Sequence, residues 1–124
     1  MKTYENIVAW QLAHGLMLEI YRCTCLFPKE EMYGLTSQMR RAALSVPANI
    51  VEGRARGTSK DFLKFLIIAR GSLEEVEYFL YAAKDLKFLS LEDYEQINEK
   101  ASRLSAVLNG LINSIRKKIE LSSS

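Results

Sequence analysis

The side chains in this sequence that could support chemistry are His14, Cys23, Cys25, the carboxylates Glu74, Glu75 and Glu77, and the turn Gly53-Arg54-Ala55-Arg56-Gly57. Catalysis needs groups that converge with tuned acidities. His14 is the only histidine; it sits beside an apolar helical stripe and reads as a structural residue. Cys23 and Cys25 are spaced two apart, so on a helix they face different ways, which suits neither a mutual disulfide nor a zinc pair. They read as free thiols of a reducing cytosol. The three glutamates crowd one stretch and cannot oppose one another across a cleft. The Glu-x-x-His pair of di-iron helical bundles is absent from the sequence. The turn at 53–57 lacks the Gly-Lys-Ser/Thr ending of a Walker loop and follows a helical pattern, not a strand. These residues predict a protein that is not an enzyme and that takes no metal and no cofactor.

Two other patterns could bind. Gln38, Arg41, Ser45, Asn49 and Glu52 recur at steps of three, four, four and three, so they line one helix face next to an apolar stripe. The structural reading is a hydrogen-bonded polar seam of Gln38, Ser45, Asn49 and Glu52 that fixes helix register, with Ser45 and Asn49 relaying contacts between Arg41 and Glu52. The functional reading is a binding or catalytic cleft. Charge is also split along the chain. Residues 40–70 hold Arg40, Arg41, Arg54, Arg56, Lys60, Lys64 and Arg70 against Glu52 and Asp61, a net of +5, while residues 71–99 hold eight acidic residues against Lys84 and Lys87, a net of −6. The run from Glu52 to Lys60 sets cations at a turn before a helix start, where backbone amides also attract anions. Such a surface could hold phosphate. The acidic block could instead answer the basic block of a neighbouring subunit.

The elements that must position these residues are helices. The chain has 124 residues, a length that suits one domain with one core. Apolar residues are 48% and charged residues 26%, a globular balance, and the net charge of +2 is too small by itself to announce a nucleic-acid binder. Val8, Leu12, Leu16, Ile20 and Cys23 predict a first helix over about 4–25, stopped by Phe27-Pro28. Leu35, Met39, Ala42, Val46 and Ile50 stay in phase across Pro47 and predict one kinked helix over about 35–55, with Gly53 and Gly57 leading into a turn. Thr58 and Asp61 form a capping box for a third helix over about 58–87, whose apolar face runs through Phe62, Leu66, Ala69, Leu73, Val76, Leu80 and Ala83. Gly71 within it predicts a close neighbour. Leu91, Ile97, Ala101, Leu104, Leu108, Leu111 and Ile115 predict a fourth helix over about 90–119, with Arg116, Lys117 and Lys118 in its last turn and a frayed tail at 122–124. Short connections make neighbours antiparallel, so the expected fold is an all-α, up-down four-helix bundle in a single domain spanning 1–124. No apolar run is long enough to span a membrane and no secretory signal core follows the N-terminus, which predicts a cytoplasmic protein.

The helices carry more apolar surface than one bundle needs. Trp10, Met17 and Tyr21 lie opposite the core stripe of the first helix, and Leu44, Pro47 and Val51 lie off the main stripe of the second. One apolar stripe per helix suffices for a monomer, so Trp10, Met17, Tyr21, Leu44 and Val51 are expected at a contact between subunits; the alternative is a bundle whose helices pack unevenly, so that some are nearly encircled.

The middle of the chain also resembles a known family. Phe27-Pro28, Tyr33-Gly34-Leu35-Thr36, Gln38-Met39-Arg40-Arg41-Ala42 and Ser45-Val46-Pro47-Ala48-Asn49-Ile50-Val51-Glu52-Gly53, with the later run from Phe62 to Glu75, are similar to the four-helix-bundle family of the 23S ribosomal RNA intervening-sequence proteins. The early Trp10-x-x-Ala13 and Tyr21 fit it too, and the likeness covers Trp10 to about Leu89. Val51 stands where the family often has alanine. The resemblance implies a homopentameric ring of up-down bundles from a bacterial family named for reading frames inside intervening sequences of 23S rRNA genes. The accessory protein of diversity-generating retroelements looks like a relative, which implies nucleic acid or a reverse transcriptase as partner. Carried onto this chain, Arg40, Arg41, Arg54, Arg56, Lys60 and Lys64 become the candidates for contact with RNA or DNA. The alternative is an adaptor ring that recruits a protein partner without touching nucleic acid.

Overall fold

A computed structural model of the chain describes residues 3–123, and among these the only regular elements are helical. Four long helices, α1 (Val8–Thr24), α2 (Leu35–Ala55), α3 (Ser59–Asp85) and α4 (Leu91–Ser123), alternate in direction. Each packs on the next, and α1 closes the ring against α4. The fold is therefore all-α, with packing consistent with a four-helix bundle.

The core follows the helical period. Ala9, Ala13, Leu16 and Ile20 of α1 meet Met39, Ala43, Val46 and Ile50 of α2, Leu66, Ala69, Leu73, Val76 and Leu80 of α3, and Ile97, Ala101, Leu104, Leu108 and Ile112 of α4. Burying each of the larger side chains contributes roughly 1.5–3 kcal/mol before chain entropy is counted. Val8 and Leu91 are exposed instead of central. Each is the first residue of its helix, where the stripe has not yet turned inward.

The ends of the helices differ from the sequence expectations for local reasons. Residues Thr3–Asn6 form a separate 3-10 turn, and α1 starts only at Val8. At the far end of α1 the Thr24 hydroxyl donates back to the Ile20 carbonyl at 2.7 Å, and the helix stops before Phe27-Pro28. α2 runs unbroken through the buried Pro47, whose missing N–H leaves the Ala43 carbonyl without its usual partner. The Thr58 hydroxyl accepts from the Asp61 amide at 3.2 Å, one arm of the capping box; among the described residues the Asp61 carboxylate makes no return bond. α3 ends in a Schellman motif: Phe88 N–H donates to Ala83 at 2.9 Å and Lys87 N–H to Lys84 at 3.0 Å, with Lys87 at φ 65°. α4 continues to Ser123, so Arg116, Lys117 and Lys118 are not in its last turn. Ser124, the end of the expected tail, lies outside the described residues, as do Met1 and Lys2.

Candidate nucleic-acid interface

The alternation of the helices gives the bundle two unlike poles. One holds the α2–α3 turn and the C-terminal turns of α4. The other holds the α1–α2 and α3–α4 connections, joined by the rings of Phe27 and Phe88 with centroids 5.7 Å apart.

The first pole is basic. Gly57, at φ +86°, takes the left-handed conformation that lets α2 reverse into α3 within three residues. That tight turn sets Arg54 and Arg56 beside Lys60 and Lys64, all exposed. Arg56 pairs with Glu52 at 2.7 Å and lies 5.1 Å from the Phe65 ring centroid. Arg54, Lys60 and Lys64 have no ion-pair partner among the described residues. Lys118 of α4 faces Arg54 across a cleft of about 240 Å³ whose other walls are Gly57, Thr58, Ser59, Phe62 and Ile115. A second hollow brings Lys60 against Ile119 and Ser122. Residues 54–64 and 115–123 together hold seven cations against Asp61 and Glu120, a net of +5.

Sequence reasoning missed the three cations of α4 by assigning them to the helix dipole. The signal was present: an antiparallel α4 must return its C-terminal turns to the start of α3. Arg40 and Arg41 are not brought to this pole. They precede Arg54 by about four turns of α2, roughly 20 Å along the axis. Arg40 is committed elsewhere: its Nε donates to Thr24 Oγ1 at 2.8 Å and its guanidinium lies 4.8 Å from the Tyr21 ring centroid. Arg41 is exposed and donates to Gln38 Oε1 at 2.7 Å.

The polar stripe of α2 lies along α3. The Ser45 and Ser72 hydroxyls share a hydrogen bond at 2.8 Å, and Asn49 Nδ2 donates to the Ser45 carbonyl at 2.8 Å and hydroxyl at 2.9 Å. Gln38 closes on Arg41 and Glu52 on Arg56, so no relay runs from Arg41 to Glu52. Ser72 is a member that sequence reasoning missed, a buried serine inside an otherwise apolar stripe. Among the described residues no buried side-chain polar atom lacks a partner.

The second apolar face lies where α1 and α2 meet at the edge of the core, against which its Trp10 and Met17 are packed instead of pointing away from it. Trp10, His14, Met17 and Tyr21 share one side of α1, and Arg40, Leu44 and Val51 share one side of α2, linked by the stacking of Arg40 on Tyr21. His14 stacks on Trp10 with centroids 5.0 Å apart, and Tyr4 meets Trp10 edge-on at 4.9 Å. Trp10, Met17 and Val51 are half-buried, whereas Tyr21 and Leu44 are exposed, Leu44 to 46%.

The cysteines do not pair. Burial, with Glu19 and Asp93 nearby, pushes the Cys23 thiol up to about 11, so it stays protonated at neutral pH. Among the described residues no cluster of histidine, cysteine and carboxylate could hold a metal ion, and no helix is long and apolar enough to cross a membrane.

The family model described as 23S rRNA-intervening sequence protein matches residues 5–110. No curated protein matches the chain. A crystal structure of a protein of unknown function from the S23 ribosomal protein family of Bacteroides thetaiotaomicron shares the fold, with a TM-score of 0.76, 24% identity, and coverage of 85% of this chain and 98% of that one.

Proposed function

This chain belongs to the 23S rRNA-intervening sequence protein family, and from that premise we propose that it is a non-enzymatic, cytoplasmic, self-assembling bundle whose basic pole binds the phosphates of structured RNA or DNA. The observation that carries the reading is the convergence of three helices on one pole, where Arg54, Lys60 and Lys118 line adjoining hollows and Lys64 follows Lys60 by one turn of α3. Those four cations make no ion pair among the described residues, so counter-ions cover them until phosphate replaces those ions. The apolar face of Trp10, Met17, Tyr21, Leu44 and Val51 supports assembly into a homo-oligomer, a pentamer by the family resemblance. Repetition of one basic pole around such a ring turns a modest patch into a multivalent surface. The smooth, sequence-independent chemistry of these contacts favours shape and charge over base identity.

Electrophoretic retardation of ribosomal RNA fragments at about 50 and 200 mM salt tests this. Retardation is expected at the lower salt and its steep loss at the higher. Replacing Arg54, Lys60 and Lys118 with alanine should weaken binding and shrink the slope of log affinity against log salt by about 0.7–0.9 per lost contact. A bundle that retards nothing at low salt would overturn the reading, and an unchanged slope would clear these three residues.

A further inference from the structure

The pole opposite the cations is neither bland nor empty. Leu26 is 87% exposed and Tyr33 is 95% exposed, and Met32, Leu86 and Leu91 stand out beside them. Large apolar side chains held in water at one end of a bundle are an interaction surface, not core. The backbone that holds them is fixed. Phe27 and Phe88 clamp the two connections together, Glu31 Oε1 accepts from the Leu35 amide at 3.0 Å, and the Schellman motif closes α3 at Phe88. A surface ordered in advance loses little entropy on docking. Its charge is acidic: residues 25–34 and 86–95 hold Glu30, Glu31, Glu92, Asp93 and Glu95 against Lys29 and Lys87, a net of −3.

The chain itself carries the matching surface. The basic pole sets a net of +5 around the cleft between Arg54 and Lys118, whose lining includes the apolar side chains of Phe62 and Ile115. Protruding apolar groups among acidic residues thus have a counterpart in a hollow lined in part by Phe62 and Ile115 and flanked by Arg54 and Lys118. We propose that the acidic pole of one molecule docks on the basic pole of a second copy, head to tail. The contact joins unlike surfaces, so it is heterologous and repeats. It is separate from the side face of α1 and α2, which would join copies laterally. It also goes beyond the nucleic-acid reading and is measured with no nucleic acid present.

Sedimentation velocity of the full chain at low and high salt, over a range of concentrations, is the test. The expected result is a species above the baseline assembly that grows with concentration and is lost at high salt, while any lateral assembly persists. Two charge-reversed variants sharpen it: Glu30→Lys/Glu92→Lys/Glu95→Lys and Lys60→Glu/Lys64→Glu/Lys118→Glu. Each alone should associate about tenfold more weakly or worse, and an equimolar mixture should recover association. Leu26→Ser/Tyr33→Ser alters only exposed side chains and should weaken association similarly, with an unchanged circular dichroism melt. A mixture no heavier than its separate components, or full association by the Leu26→Ser/Tyr33→Ser variant, would overturn the proposal.

Discussion

At Gly53 the backbone of α2 approaches α3 so closely that an added Cβ would stand 2.7 Å from Phe65 Cβ and 3.1 Å from Phe62 Cδ1. At Gly71 an added Cβ would meet nothing within 4 Å. The two glycines therefore predict opposite outcomes. Gly53→Ala must push two helices apart and should cost roughly 1–3 kcal/mol, whereas Gly71→Ala only gains helix propensity, roughly 0.5–1 kcal/mol. Urea denaturation of the two variants checks both signs. Sequence reasoning had these residues the other way round, Gly53 as the approach to a turn and Gly71 as a site of close packing. The phase of Met39 and Val46, each seven residues apart, already pointed Gly53 into the core. Nothing comparable marks Gly71, because the stripe of α3 passes it on the adjacent Ser72 and Leu73.

Between elements, the seam of α1 with α4 is tied by one carboxylate. Glu19 accepts from Lys100 at 3.1 Å and from Arg22 at 2.7 Å, and the Lys100 bond holds its carboxyl below the usual carboxylate range. A carboxyl with a lowered folded pKa stabilises at neutral pH and loses that contribution as pH falls through the folded value. Thermal unfolding of the wild type and Glu19→Gln should differ at pH 7, with the wild type higher, and converge as the pH drops below the carboxylate range. A difference that stays constant with pH would deny the ion pair any part. Both partners are partly exposed, so the effect is small. The helices themselves were legible because their apolar residues keep the period. The bounds of α2 were plain, since Leu35 and the glycine-containing turn punctuate it. The start of α1 was not, because a 3-10 turn carries the same short-range apolar spacing as a helical turn. The pairing of Glu19 with Lys100 was invisible, since it joins the two ends of the ring of helices.

At the scale of the whole molecule, the surfaces that bear on binding include a basic pole, an acidic apolar pole, and a lateral face of Trp10, Met17, Tyr21, Leu44 and Val51. The lateral face makes its own prediction. The chain of 14.2 kDa should sediment as an oligomer at micromolar concentration and high salt. Leu44→Lys/Val51→Lys should reduce it to a folded monomer, and an unchanged mass would place the lateral contact elsewhere. The charge split was visible in the sequence, but its geometry was not: Arg40 was counted with the basic run and lies folded onto Tyr21, while Lys118 was left out and lies across from Arg54. The bonds among Ser45, Ser72 and Asn49 bear on that geometry. Sliding α3 by one helical turn, about 5.4 Å, against α2 would strand a hydroxyl inside the protein without a partner. The pair thus has a single vertical setting, and Lys60 and Lys64 are held at one height relative to Arg54, like teeth on a locked ratchet.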